Sequence, residues 1–573
     1  MIDNEILALI MKFIEKPKFI FGLLLSFLGT ALSLLLPQAI GQLLDEQFLR
    51  DLLNRPAILV GFVSLFLSAY TLQAISTYLI GLCGSVTLNR LQKHIYSSLL
   101  RSTTKELDRH QAGDFSSRLT NDMSIVMNFI TAVLPNTLLN AIVILGSIYF
   151  LVRISLPMTL IGLLLVPILL FIILPINTKL EAYYTDYQEG LGAVSSRISH
   201  KFRNIRLMKA FNGENFEERV MGRAFSELTK NVQKIIGLSS VQSTLINSFT
   251  MFFIMLLFFI AGMEVTRGSM TMSTLMTFML YMVQLIEPVT SLSESMTEWA
   301  ELKSVSHRLT EILALDKEEH QSSIKTAKDY SITMKNVSFA YDDTEKVLNN
   351  VSLTVKSGQH LAIVGPSGAG KTTIFSLLMK FHQGYQGQLH IGNHCLSNLS
   401  PSQVRNLISY IPQDNTLFQG TIRENLFYGK NESVSEERLE EVLRELDLMQ
   451  VIENLDNGLD TEITDSGTGL SEGQKQRFNI ARALLQEHPI YLMDEVTSSL
   501  DSVTEKVISQ AINNITTGKT RLTIAHRLHT VQAADSILVL DKNGRISACG
   551  SHRQLIQTNE LYREFLSGLP KAG

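Results

Sequence analysis

Cysteine is nearly missing from this 573-residue chain: Cys83, Cys395 and Cys549 lie far apart, with no Cys-x-x-Cys or Cys/His spacing. A disulfide framework is thereby excluded, a zinc site finds no ligand set, and a reducing compartment fits best. Charge is scarce as well, since Asp, Glu, Lys and Arg make up 18% of the residues, against ~25% in an average soluble protein. The formal net charge of -4 is too close to neutrality to point to a nucleic-acid partner, and no long single-sign tail is present. Beyond about residue 330 there is also no apolar run able to cross a hydrocarbon core of ~30 Å.

What is abundant is apolar sequence, 45% of the chain, concentrated before residue 300. Six segments there can span a bilayer, at about 19–43, 57–80, 127–151, 155–177, 242–264 and 270–291. The connections after the first, third and fifth are short. Those after the second and fourth are long and basic, with Arg90, Lys93, Arg101, Lys105, Arg109 and Arg118, then Lys201, Arg203, Arg206, Lys209, Arg219 and Arg223. The positive-inside rule places both long loops in the cytoplasm; Lys12, Lys16 and Lys18 place the N-terminus there too, so the chain after the sixth span is also cytoplasmic. Both loops keep a helical period, so the membrane helices are expected to extend well beyond lipid. Residues 2–14 read as an amphipathic interfacial helix, because acids precede the apolar stretch and no cleavage site follows. The charged, poorly periodic stretch 316–330 reads as an exposed linker between an α-helical transmembrane domain, 1–315, and a polar α/β domain, 331–573.

In the polar half, the apolar strand Leu361-Ala-Ile-Val364 runs into Gly365, Pro366, Ser367, Gly368, Ala369, Gly370, Lys371, Thr372 and Thr373, and then into an amphipathic helix. Strand, P-loop and helix stand in the order a nucleotide triphosphatase needs. The glycines let backbone N–H groups turn to the phosphates, Lys371 adds a compact cation, and Thr372 offers a hydroxyl to Mg²⁺. A second buried strand, Ile490-Tyr-Leu-Met493, ends at Asp494 and Glu495, so two carboxylates reach the same sheet edge, one for metal and one for water.

At these residues the chain resembles the ATP-binding cassette transporters. Tyr341, in Val-Ser-Phe-Ala-Tyr, matches the adenine-stacking aromatic; Gln413, in Tyr-Ile-Pro-Gln-Asp, matches the Q-loop residue that senses the γ-phosphate and metal. Leu470-Ser471-Glu472-Gly473-Gln474 matches the signature, Ser499-Leu-Asp501 the D-loop, and His526, in Ile-Ala-His-Arg, the switch histidine. Taken singly, Tyr341 is a packing aromatic, Gln413 a solvated amide and His526 a core histidine; their order and spacing over 335–565 decide otherwise. The membrane half resembles the exporter domain of the same family, and its geometry implies coupling helices near 107–116 and 209–216.

The resemblance implies ATP and Mg²⁺ as cofactors, with Glu495 polarising the attacking water, His526 on the γ-phosphate, Asp494, Thr372 and Gln413 at the metal, and Ser471, Gly473, Gln474 and Asp501 facing ATP. In the family each ATP is sandwiched between the Walker side of one cassette and the signature of another, so one cassette per chain calls for a second half-transporter. Glu472 departs from the pattern where a glycine is usual, bringing a negative charge towards a triphosphate unless it points away or meets a cation. A working homodimer is the leading reading and a heterodimer with a weakened signature the alternative. A lesser departure is Thr464-Asp-Ser-Gly467, where exporters often carry Gly-Glu-Arg-Gly. The expected function is ATP-driven export of hydrophobic or amphipathic compounds across the plasma membrane; lipid or peptide export, and a regulatory membrane ATPase without cargo, are the alternatives. Glu287, before Pro288 in the sixth span, is the candidate cavity residue for cargo, against the plainer reading of a carboxylate snorkelling to the interface. Gln38, Gln42, Gln73, Asn136, Asn140, Asn177, Asn247 and Gln284 either line a passage or join helices.

Overall fold

The long apolar segments fold as helices that leave bulky side chains on their outer faces, Phe171 at 82% exposure among them, as a lipid-facing surface does. The computed structural model describes the chain except residues 1–3, 44, 46–47, 49–55, 111, 320–328, 342–344, 430–433, 464–468, 497–501 and 569–573. It divides into two compact units, Met1–Ser97 with Ala112–Ala314, and Ser98–Gln111 with Leu315–Gly573.

In the first unit, five helices among the described residues are long and apolar enough to cross a membrane: Lys16–Gln42, Ala57–Leu100, Gly113–Ile154, Glu214–Thr266 and Met272–Ala314. The expected span 155–177 is helical in two pieces, Leu156–Leu163 and the start of Leu165–Arg203. Glu214–Thr266 has 53 residues. At 1.5 Å per residue that is about 80 Å, more than twice a hydrocarbon core, so the helix continues far outside lipid. Small residues let these helices approach. A Cβ on Gly41 would stand 1.8 Å from Thr277 Oγ1, and Ser76 Oγ donates to the Gly22 carbonyl at 2.6 Å. Polar side chains join helices as expected for two of the amides: Asn140 Nδ2 donates to Ser291 Oγ and Gln242 Nε2 to Asn177 Oδ1, both at 2.9 Å. At the buried centre Tyr281 stacks on Phe150 at 5.2 Å and donates to the Leu34 carbonyl at 2.6 Å. Two π-helical turns, Arg118–Asp122 and Phe129–Val133, interrupt the third long helix. The buried Asp122 beside them accepts two bonds from Arg308, at 2.9 and 2.7 Å.

Short helices lie at Thr104–Asp108 and Ile205–Ala210, a few residues before the positions expected for the coupling helices. The reason is local: helix Ala112–Ser117 has already begun its rise, and Asn212 at φ +48° with Gly213 ends the second turn before the long helix from Glu214. Asn4–Phe13 is helical, as the interfacial reading requires. Most of the 316–330 linker lies outside the described residues.

The second unit is built on a six-stranded sheet in the order Ile546–Gly550, Ser536–Leu540, His360–Val364, Thr520–Ile524, Ile490–Asp494, Ile408–Ile411, antiparallel only at its first edge. All residues of His360–Val364 and of Ile490–Asp494 are buried, as befits strands covered on both faces. A four-stranded antiparallel sheet, led by Ile332–Phe339 and Leu348–Val355, shares one apolar core with the P-loop strand and helix. A second core, around Phe478, Leu443 and Tyr491, holds a helical lobe. Register aligns the carboxyl ends: Ile363 pairs with Ile524, Ile524 with Asp494, and Met493 with Ile411. The loops that follow therefore emerge at one sheet edge.

The tight seat of Gly41 gives an expected outcome. Gly41→Ala lowers the thermal midpoint of the detergent-solubilised protein, by about 1–3 kcal/mol of stability for an overpacked helix contact, and Thr277→Ala in the same chain restores most of it.

Candidate nucleotide site

The P-loop is shaped by its glycines at two points where a side chain has no room. A Cβ on Gly365 would meet the Leu540 carbonyl oxygen at 2.6 Å, and Gly370, at φ +87°, caps helix Lys371–Leu378 with Val347 O 2.9 Å from where its Cβ would be. Pro366, Ser367 and Gly368 form the exposed crest, while Ala369 is buried beneath it. Lys371 is nearly buried, and its ammonium donates to the Gly365 and Pro366 carbonyls at 2.9 Å each. Burial pulls its pKa down, opposed by Glu495 and Asp494.

Asp494, at the end of its strand, is also buried, with Oδ1 lacking a hydrogen-bond partner. Burial raises its carboxyl pKa from 3.8 to about 6; Glu495 adds to the rise, while a Thr372 hydrogen bond and Lys371 oppose it. An orphaned carboxylate oxygen beside a threonine hydroxyl is a donor set that suits a hard divalent cation, so Asp494 and Thr372 fit Mg²⁺.

Glu495 has φ +48°, a conformation L-residues hold at a cost of about 1–3 kcal/mol. The strained backbone aims its carboxylate between two other residues of the expected site: Gln413 Nε2 donates to Oε2 at 3.0 Å, and His526 Nε2 lies 3.0 Å from Oε1. The latter contact has ion-pair distance but not the alignment of a hydrogen bond. Burial lowers the His526 pKa more than Glu495 raises it, so the imidazole is neutral at pH 7.

Tyr341 is 45% exposed and donates to, or accepts from, Thr373 Oγ1 at 3.0 Å. Its ring stands nearly perpendicular to those of Phe339 and His382, with centroids 5.1 and 4.9 Å away. Ser471, Gly473 and Gln474 stand apart from these groups, at the start of helix Glu472–Leu485 in the second core. There Ser471 and Gln474 form a reciprocal capping box. Glu472 points outward and meets a cation, Lys475, at 2.8 Å. Asp501 and the Thr464–Gly467 departure lie outside the described residues. Glu287 is exposed on the single chain, followed by the buried Pro288.

Two residues escaped sequence reasoning. His382 closes the aromatic corner around Tyr341; an imidazole four residues beyond the P-loop helix was the available signal. Glu505 is buried and holds Arg527 at 3.1 Å and His529 at 3.2 Å, the residues flanking His526 on its C-terminal side. No local pattern distinguishes this acid from its exposed neighbours on the same helix.

The raised pKa of Asp494 sets a pH dependence. Protonation is favoured in the folded protein between about pH 4 and 6, so Mg²⁺-dependent ATP affinity should rise with pH through about 6 and be lost in Asp494→Asn. Titration of a fluorescent ATP analogue between pH 5 and 8, with and without Mg²⁺, checks this; an affinity flat across pH 6 contradicts it.

Comparison with known proteins agrees with this architecture. The profile for the ABC transporter transmembrane region matches residues 19–289, and the ABC transporter profile matches 348–498. A multidrug resistance ABC transporter ATP-binding and permease protein of Lactococcus lactis subsp. lactis (strain IL1403) is 31% identical over 556 residues, 96% of this chain and 94% of that protein. A putative export ATP-binding/permease protein of Rickettsia bellii (strain RML369-C) is 29% identical, covering 97% of each. A solved structure of a bacterial Atm1-family ABC exporter with ATP bound has a TM-score of 0.84 at 24% identity, covering 97% of this chain and 99% of that one, a likeness of fold. A helical membrane region fused to a cassette with this nucleotide site, together with such relatives, makes the chain a member of the ABC transporters, a half-transporter that hydrolyses ATP to drive export.

Proposed function

We propose that two copies of this chain form an exporter of hydrophobic or amphipathic compounds at the plasma membrane, with residues 1–315 as the membrane domain, 316–330 as linker and 331–573 as the nucleotide-binding domain. The observation that carries the reading is Glu495, held between Gln413 and His526 at the mouth of the P-loop, in a chain whose other unit presents apolar helices to lipid.

The residues divide the work by position. Tyr341 stacks on adenine. Lys371 exchanges its two loop carbonyls for phosphate oxygens, and the backbone N–H groups of 365–373 cradle the same phosphates. Asp494, Thr372 and Gln413 hold Mg²⁺, which neutralises charge on the phosphates when bound. Glu495 orients and polarises the attacking water, and the neutral His526 donates towards the γ-phosphate. Ser471, Gly473, Gln474 and Asp501 act on the ATP of the other copy. The basic cytoplasmic loops support an inside orientation for the N-terminus and the cassette. The relatives' multidrug naming and the exposed Glu287 beside a helix-modifying proline support an amphipathic, cationic cargo.

A heterodimer remains the second reading because of Glu472. The Lys475 pair favours the homodimer: its ammonium lies beside the carboxylate and offsets part of the charge that Glu472 would present to a triphosphate.

Two outcomes are expected in lipid nanodiscs containing the purified chain alone. ATPase turnover is robust, rises with amphipathic cations such as Hoechst 33342, and falls by about two orders of magnitude or more in Glu495→Gln; near-normal phosphate release from that variant refutes the role of Glu495. Glu472→Gly changes turnover by less than about threefold, as for an exposed neutralised charge; an inactive wild type restored by Glu472→Gly, or by a second half-transporter, establishes the heterodimer.

A further inference from the structure

The groups that describe the nucleotide site leave a partly buried ion pair unused. The chain leaving the long helix Pro56–Leu100 meets the chain following helix Met272–Ala314 in a short antiparallel bridge. Thr103 N donates to Asp316 O at 2.8 Å, Glu318 N to Arg101 O at 2.7 Å, and Ser102 faces Lys317. The start of the expected exposed linker is thus pinned by backbone hydrogen bonds. Glu318, its side chain only 11% exposed, accepts from both terminal nitrogens of Arg405, at 2.7 and 2.8 Å. Arg405 reaches further: Nε donates to Met379 O at 3.1 Å, Nη2 to Lys380 O at 3.4 Å, and the guanidinium lies over the Phe381 ring at 5.2 Å. Met379–Phe381 directly follow the P-loop helix, and Lys380, at φ +53°, is fixed by its buried ammonium on the Leu396 and Leu399 carbonyls. All these residues belong to one compact unit.

An exposed ion pair would carry little energy. This one is bidentate, half-enclosed and cross-linked to backbone at both ends, the arrangement in which losing one partner strands the other charge. One side chain therefore grips both the end of the helix that begins at Lys371 and the strand pair continuous with the second and sixth membrane segments.

We propose that Glu318 and Arg405 form a positioning clamp that carries the state of the P-loop helix to the chain leaving those two segments. The inference rests on the exporter reading. Neither residue touches nucleotide, so their loss separates hydrolysis from the membrane response.

The test uses the full-length protein in nanodiscs, freed of Cys83, Cys395 and Cys549, with Ser269→Cys spin-labelled in the connection between the fifth and sixth spans. Distances between the two labelled copies are measured by electron double resonance before and after trapping with ATP and vanadate, alongside ATPase kinetics. The wild type should shift its distance distribution on trapping. In Glu318→Gln and in Arg405→Lys, basal turnover and KM for ATP should stay within about twofold, while the shifted population falls at least about fivefold. The double variant should be no worse than the worse single, as for groups acting as one unit. Singles that shift like the wild type, or that lose turnover in step with the shift, overturn the clamp. A wild type that hydrolyses ATP without any shift overturns the exporter reading and the clamp with it.

Discussion

Charge is costly where the parallel strands end, and the cassette is arranged to hold charge there. Lys371 and Asp494 occupy an edge where desolvation works against the ionised form: it lowers the ammonium and raises the Asp494 carboxyl to about 6, and beside them it lowers the His526 imidazole. These groups lean on one another and on backbone. Lys371 folds onto its own loop's carbonyls, Glu495 sits in a strained backbone conformation between an amide and an imidazole, and Asp494 keeps an oxygen with no partner. In the proposed roles, these are the contacts that a metal-bound triphosphate would take over.

The membrane unit answers the opposite constraint. Lipid supplies no hydrogen bonds and no hydrophobic force between helices, so association depends on close approach and on a few internal polar bonds. Gly41 against Thr277, the bonds of Asn140 and Gln242, and Tyr281 on the Leu34 carbonyl serve this purpose. The π-turns in the third helix break that regularity beside a buried aspartate paired with Arg308, where a rigid α-helix would place the carboxylate differently.

What could be read from sequence follows from how local the determinants are. The P-loop, the Asp494–Glu495 strand end and the apolar spans are continuous stretches whose chemistry is legible from composition and period. Gln413 and His526 were also legible, because the family order fixed them, and the sheet register then brings both to Glu495. The two short helices slipped by several residues from the expected positions because their limits depend on Asn212 at positive φ and on where the next helix starts, which the periodicity of charge does not reveal. Glu505 and the Glu318–Arg405 pair were invisible for a stronger reason: residues 318 and 405 meet only through tertiary folding, and an isolated glutamate in a charged run reads as solvated.

Glu472 illustrates how a local sequence rule and its local remedy belong together. At the first turn of a 14-residue helix a carboxylate is favoured by the helix dipole, yet the same helix end is where the family places a triphosphate. A bare glutamate would gain the first interaction at the expense of the second. With Lys475 one turn on, the side chain is drawn along the helix surface while Ser471 and Gln474 complete the cap, so the backbone donors at the helix start keep their orientation. Glu472 changes the charge pattern of the signature, and the reciprocal capping box of Ser471 and Gln474 is complete in its presence.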